Sequence, residues 1–156
     1  QRAASPAYAK EASRGSHREG VPGEHLEVMT VDEGRKIAVG GKILFAEGSA
    51  KLLPGSGALL GDVADRIRGY SNRVEVLGHA APSEASVSGV YIDEWELGWA
   101  RARAVADYLV KECNIPANRL RVASGGSVDP AATNLFPEEA SRNRRVEVIV
   151  TGQFIR

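Results

Sequence analysis

Two hydrophobic rhythms alternate along the chain. "HLEVMTV" and "KIAVGGKILF" place apolar residues at nearly every second position, the period of a strand with one buried face. "DEGR" lies between them and favours a tight turn, so the pair predicts a β-hairpin whose second strand runs on through "ILF". A Gly/Pro/Ser-rich turn follows in "AEGSAKLLPGSG". From about Gly57 to Tyr70 the period changes. Leu60, Val63, Ala64 and Ile67 recur at spacings of three and four, which predicts an amphipathic helix. "RVEVLGH" alternates again as a strand, and a second helix is predicted from about Trp95 to Glu112, stopped by Asn114 and Pro116. "RLRVASGG" reads as a third core strand, "DPAATNLFPEEASRN" as a loop with room for a short helix, and "RRVEVIVTG" as the last strand.

The order hairpin, α, β, α, β, loop, β predicts an α/β two-layer sandwich (α+β), with helices packed on a sheet. Residues 1–23 are Ala, Ser, Gly, Pro and mixed charge, which predicts a flexible linker or tail ahead of a domain spanning 24–156. No periodicity organises the stretch from Ala80 to Asp93.

Composition narrows the function. A chain of 156 residues that is 43% hydrophobic can build one core. Lys+Arg and Asp+Glu are both 20, so the chain lacks the positive field of a general nucleic-acid binder, and no nucleic-acid partner is expected. With Cys113 as the single cysteine an intrachain disulfide is impossible, and the compartment stays open. No apolar run reaches the roughly 18 residues of a membrane span. The first residues lack both an initiator Met and the apolar centre of a signal peptide. The expectation is therefore a fragment, with any targeting or spanning segment upstream.

Catalytic signatures are not found. His17, His25 and His79 have no metal-ligand spacing with one another or with Cys113. "VGGKILF" lacks the upstream glycine of a phosphate loop, and "GSGALLG" is not a dinucleotide fingerprint. Gly-x-Ser-x-Gly and Ser-x-x-Lys are both missing. No enzyme activity, metal or cofactor is expected.

One residue breaks the pattern of the second helix. At 100° per residue from Leu97, Ala104 falls at about 340°, Tyr108 at about 20°, Val105 at about 80° and Arg101 at about 40°, inside the apolar stripe; Arg103, at about 240°, faces solvent. Two readings of Arg101 stay open. Its stem could cover the core edge while its head reaches water or a carboxylate of the chain. Alternatively, its planar fork waits for an anionic ligand that it grips through two hydrogen bonds. Trp95 and Trp99, one turn apart, are expected to pack on a neighbouring element.

"ILFAEGSAKLLP", "VEVLGHA", "WELGWARARAVADYLV", "NRLRVASGG" and "NRRVEVIV" occur in the order found in OmpA-like peptidoglycan-binding domains, so residues 40–150 resemble that family. "FAEGSAKL" looks like its first core strand and turn, "GH" like the start of its Gly-His-Thr-Asp signature, "LGWARA" like Leu-Ser-x-x-Arg-Ala, and "NRRVEV" like the Asn-Arg-Arg opening the last strand. "EWELGWARA" and the long loop before it look most like the MotB branch, the stator subunits of the flagellar motor. The resemblance implies a β-α-β-α-β-β fold on a mixed sheet, preceded by the hairpin. It also implies a periplasmic domain tethered to the inner membrane by an upstream helix, a MotA-like membrane partner and a homodimer.

For function, the resemblance implies non-covalent binding of the diaminopimelate-containing stem peptide of peptidoglycan. The implied site set is Arg101, Phe45, His79, Glu94, Leu97 and Arg144. In the family an arginine at the position of Arg101 works with the aspartate of Gly-His-Thr-Asp. Here the Thr-Asp positions are Ala80 and Ala81, and the family's asparagine at the helix start is Glu94. Glu84, Asp93 and Glu94 are the candidates to supply the missing anion. A second reading therefore stands beside peptidoglycan binding: an OmpA-like fold that has lost the ligand site and serves as a dimerisation or protein-interaction module.

Overall fold

A computed structural model describes residues 16–17, 26–31, 34–40, 44–69, 71–128 and 143–155. Within it the strand rhythm resolves into one mixed sheet. The strands are β1 (Ser16–His17), β2 (Leu26–Val31), β3 (Gly34–Gly40), β4 (Asn72–His79), β5 (Leu120–Gly126) and β6 (Arg145–Phe154). They lie in the order β1-β2-β3-β6-β4-β5, and only β4 and β5 run parallel. The hairpin forms as expected, with Val31 opposite Gly34. The last strand in sequence is central, antiparallel to β3 on one side and to β4 on the other. Ser16–His17 pairs with β2 inside the stretch expected as a tail; the rest of 1–23, and the expected short helix within 129–142, lie outside the described residues.

Period-two alternation sends Val74 and Val76 of β4, Val146 and Val148 of β6, and Ile37 and Val39 of β3 into one core. Two helices close it: α1 (Ser56–Ile67) through Leu60, Val63, Ala64 and Ile67, and α3 (Glu94–Lys111) through Val105, Ala106 and Leu109. Each fully buried aliphatic contributes about 1.5–3 kcal/mol, so these side chains carry most of the cohesion. Arg119, in a 3₁₀ turn (Ala117–Arg119), donates to the Ile67 and Asn72 carbonyls at 2.7 and 3.0 Å, tying the end of α1 to the start of β4.

The predicted strand does not run on through Leu44 and Phe45. β3 ends at Gly40, and Phe45 makes only an isolated bridge to Leu52. Residues 44–53 instead close on themselves: the Leu53 amide donates to the Leu44 carbonyl at 3.1 Å, and Gly48 takes a left-handed φ of 70° that a strand could not accept. Leu44 and Phe45 enter the core from this closed loop.

α3 begins at an Asp93 N-cap, whose side chain accepts the Glu96 amide at 2.9 Å. Its buried positions are Leu97, Gly98, Arg101, Ala102, Val105, Ala106 and Leu109. On the same wheel they span about 0–180°, centred near Gly98 rather than between Leu97 and Tyr108. The shift has a steric cause. A Cβ on Gly78 would lie 1.8 Å from the Gly98 carbonyl oxygen, and one on Gly98 would lie 2.7 Å from that of Gly78. Two glycines therefore let the backbone of α3 rest directly on β4, which rolls the helix and carries Arg101 wholly inside.

Candidate functional site

Arg101 is the largest fully buried side chain among the described residues, with 0% exposure. All five of its N–H donors have acceptors. Nε donates to the Ser49 carbonyl at 2.9 Å. Nη1 donates to the His79 carbonyl at 3.2 Å and to Glu84 Oε1 at 2.8 Å. Nη2 donates to the Ala46 carbonyl at 3.3 Å and to Glu84 Oε2. The guanidinium lies over the Phe45 ring, 5.3 Å from its centroid. Carbonyls from the closed loop and the end of β4 thus hold the fork over an aromatic floor.

Glu84 completes the arrangement. It directly precedes α2 (Ala85–Ser88) in the aperiodic stretch and is 2% exposed. Its Oε1 also accepts the Ala81 amide and its Oε2 the Gly48 amide, each at 2.8 Å. Burial alone would raise its pKa; the hydrogen bonds and charge of Arg101, with the two amides, outweigh that and hold the carboxyl below its ordinary value of 4.5. The site is a carboxylate receptor built from one guanidinium and two main-chain amides, and the carboxylate in it belongs to the chain.

The other expected residues divide. Phe45 is the floor of the receptor. Leu97 is buried in a small apolar cluster with Ala80 and Ala85. His79 contributes its carbonyl, not its ring: Nε2 pairs with Glu147 Oε1 at 2.8 Å on the sheet face away from the helices. Glu94 does not reach Arg101. Its carboxylate accepts the Ser83 amide at 2.9 Å and fastens the loop to the start of α3. Asp93 is spent on the N-cap, so of the three candidate anions Glu84 is the one that meets Arg101. Arg144 makes no hydrogen bond to any of these groups, and its buried Nε has no partner. Gly48 and Ala81, which act through their amides, carried no side-chain signal by which sequence could find them.

Behind the receptor, Glu147 is gripped by Lys36 at 2.8 Å, by His79 and by Arg145 at 3.5 Å. Burial would raise its pKa, but the His79 hydrogen bond and the charges of Arg145 and Lys36 hold it far below the usual range. Burial pushes the His79 pKa down, more than its bond to Glu147 raises it. The neutral ring then donates Nε2–H to Glu147, and its buried Nδ1, which has no partner, carries only a lone pair. Among the described residues no three His, Cys, Asp or Glu side chains are grouped as metal ligands. On the outer surface Arg103 pairs with Asp107 at 3.0 Å, as a solvated charge should. Trp95 packs its ring over Gly126 yet is 52% exposed. Trp99 is 45% exposed, with the Arg103 guanidinium carbon of the same helix 5.9 Å from its ring centroid.

A two-layer domain with an arginine-centred carboxylate receptor at the base of one helix is the class that fold and site define. The chain belongs to the OmpA family, which matches residues 44–144. It is 35% identical over 112 residues to "Peptidoglycan-binding protein ArfA" of Mycobacterium tuberculosis, covering 71% of this chain and 32% of that protein. The chain thus spans about a third of the length of that relative. The cell wall anchor of the T6SS from Pseudomonas aeruginosa has a similar structure: TM-score 0.72, 31% identity, 82% of this chain and 88% of that one. The periplasmic domain of Helicobacter pylori MotB shares the fold, with TM-score 0.78 at 22% identity over 88% of each chain.

Proposed function

We propose that this domain anchors a larger protein to peptidoglycan, with Arg101 as the group that takes a carboxylate of the diaminopimelate-containing stem peptide. The observation that carries the reading is the receptor itself. A rigid guanidinium fork and the Gly48 and Ala81 amides converge on one point and hold a carboxylate there by both oxygens. The similarity to a peptidoglycan-binding protein and to a cell wall anchor supports it. The fold shared with MotB supports the rest of the reading: a periplasmic location, an upstream membrane tether, a MotA-like membrane partner and a paired copy of the domain.

Sedimentation with purified sacculi tests this. The wild-type domain pellets with the sacculi, and excess diaminopimelate-containing tripeptide releases it. Arg101→Lys keeps the charge but loses the fork, and binds at least ~10-fold more weakly while circular dichroism reports an intact fold. A folded wild-type domain that stays in the supernatant refutes anchoring by this domain. It would favour the second reading, an interaction module, for which the observation is that Ala80 and Ala81 offer no side-chain anion and Glu84 already fills the fork.

A further inference from the structure

The receptor is full. Arg101 has no donor left, and each oxygen of Glu84 accepts one guanidinium and one amide hydrogen. A carboxylate arriving from outside therefore finds no free hydrogen bond while Glu84 stays in place. We infer that Glu84 is an internal occupant of the carboxylate site, and that an external carboxylate binds only by displacing it together with the segment 82–92, which leaves the Ala81 amide and the Asp93 cap in place. This rests on the reading that the site takes a peptide carboxylate.

The exchange is chemically balanced. The incoming carboxylate takes over the same two guanidinium and two amide hydrogens, so Arg101 is never left buried and unpaired. Glu84 leaves for water, where an ionised carboxylate is well solvated. The segment that must lift is lightly held. Inward it presents Glu84, Ala85 and the half-buried Tyr91; outward, Val87, Val90 and Ile92 are exposed, Ile92 by 89%. Besides Glu84, its side-chain ties to the rest of the fold are two exposed bonds to the start of α3, from the Ser83 amide to Glu94 at 2.9 Å and from the Ile92 amide to Glu96 at 3.3 Å. Ser83 itself sits at φ 63°, a left-handed conformation that a non-glycine residue leaves readily once its neighbours release it. Because the tethered carboxylate competes intramolecularly, the apparent dissociation constant for an external one exceeds its intrinsic value by the inverse of the open fraction.

Acetate, the fragment missing from a Glu84→Ala side chain, is the first probe, and the tripeptide L-Ala-D-γ-Glu-meso-diaminopimelate the second. Glu84→Ala should melt below wild type and recover saturably with sodium acetate, relative to sodium chloride at the same ionic strength; wild type should not respond. The tripeptide should bind Glu84→Ala about tenfold or more tightly than wild type. If Glu84→Ala does not fold, Glu84→Gln, which keeps the shape but loses the charge, is read the same way for the tripeptide. Acetate that stabilises both proteins equally, or neither, overturns the proposal. So does a tripeptide affinity that is the same in wild type and variant, although peptidoglycan binding would then stand. Acetate rescue with no tripeptide binding by either protein keeps Glu84 as internal occupant and sinks the peptidoglycan reading instead.

Discussion

Arg101→Met removes the guanidinium and keeps most of its apolar volume. What remains is Glu84, 2% exposed and ionised, with two amide hydrogens where it had four partners. Breaking a buried pair from one side costs about 3–5 kcal/mol because the surviving charge is uncompensated. The carbonyls of Ser49, His79 and Ala46 also lose a donor, so the upper half of that range is expected. Against a typical total stability of about 5–15 kcal/mol this is severe but measurable. Glu84→Gln in the same background removes the stranded charge, so the double variant should be less destabilised than the sum of the two single changes by about 2 kcal/mol or more. Urea denaturation at pH 7, followed by circular dichroism with slopes compared across the four proteins, gives the cycle. The pH dependence supplies a sign. In wild type the Glu84 pKa lies below 4.5, so its contribution is complete above that value and lost as pH falls through the folded pKa. Without Arg101 burial dominates, the pKa rises, and the variant should gain on wild type as the solution is acidified. A loss under ~1 kcal/mol, or additivity within ~0.5 kcal/mol, would mean that the pair is not the keystone of this end of the domain.

Two further outcomes follow from the packing and the charges. Gly78→Ala puts a methyl 1.8 Å from the Gly98 carbonyl oxygen and 2.9 Å from the Ala102 amide nitrogen, so α3 must lift off β4 and carry Arg101 with it. Backbone offers less give than side chains, so the loss should reach the top of the ~1–3 kcal/mol range for overpacking or exceed it, and an unchanged urea midpoint would show that the glycine contact does not set the height of the helix. His79, held neutral with a folded pKa below 6.5, contributes stability that is complete above that pH and fades as pH falls below it. His79→Gln should therefore flatten the upper acid limb of a urea-midpoint profile between pH 7 and 5, and an identical limb in both proteins would remove His79 as its source.

The elements with a clean period were legible from the sequence. Both long helices, β4, β5, β6 and the hairpin fall within a few residues of their expected limits, because each buries one regular face. Where the period stopped, so did the reading. "FAEGSAKL" resembled a strand because Leu44 and Phe45 are apolar, yet the left-handed turn at Gly48 makes it a loop that enters the core from one end. The roll of α3 was misjudged because a wheel scores side chains, and the decisive contact is made by Gly98, which has none. Arg101 stood out because a charge in an apolar stripe demands a partner; which partner could not be read from spacing.

The acidic partner of Arg101 is Glu84, which lies further along the chain than the Gly-His-Thr-Asp pattern would place it. The motif expects a side-chain anion at the position of Ala81. Here Ala81 is buried and gives only its amide, and the anion arrives three residues later from Glu84. Side chains at 80 and 81 must then be small, since the carboxyl group of Glu84 lies against the Ala81 backbone. The exchange alters the chemistry. An aspartate at a pocket mouth could face a ligand, whereas Glu84, with every oxygen lone pair direction engaged inward, faces only Arg101 and two amides. Matching residues to a motif position by position scores this as half a clamp. Tracing the hydrogen bonds instead gives a complete receptor with its own carboxylate in place, so the energetic question for any external peptide is competition with Glu84 rather than the strength of the Arg101 grip.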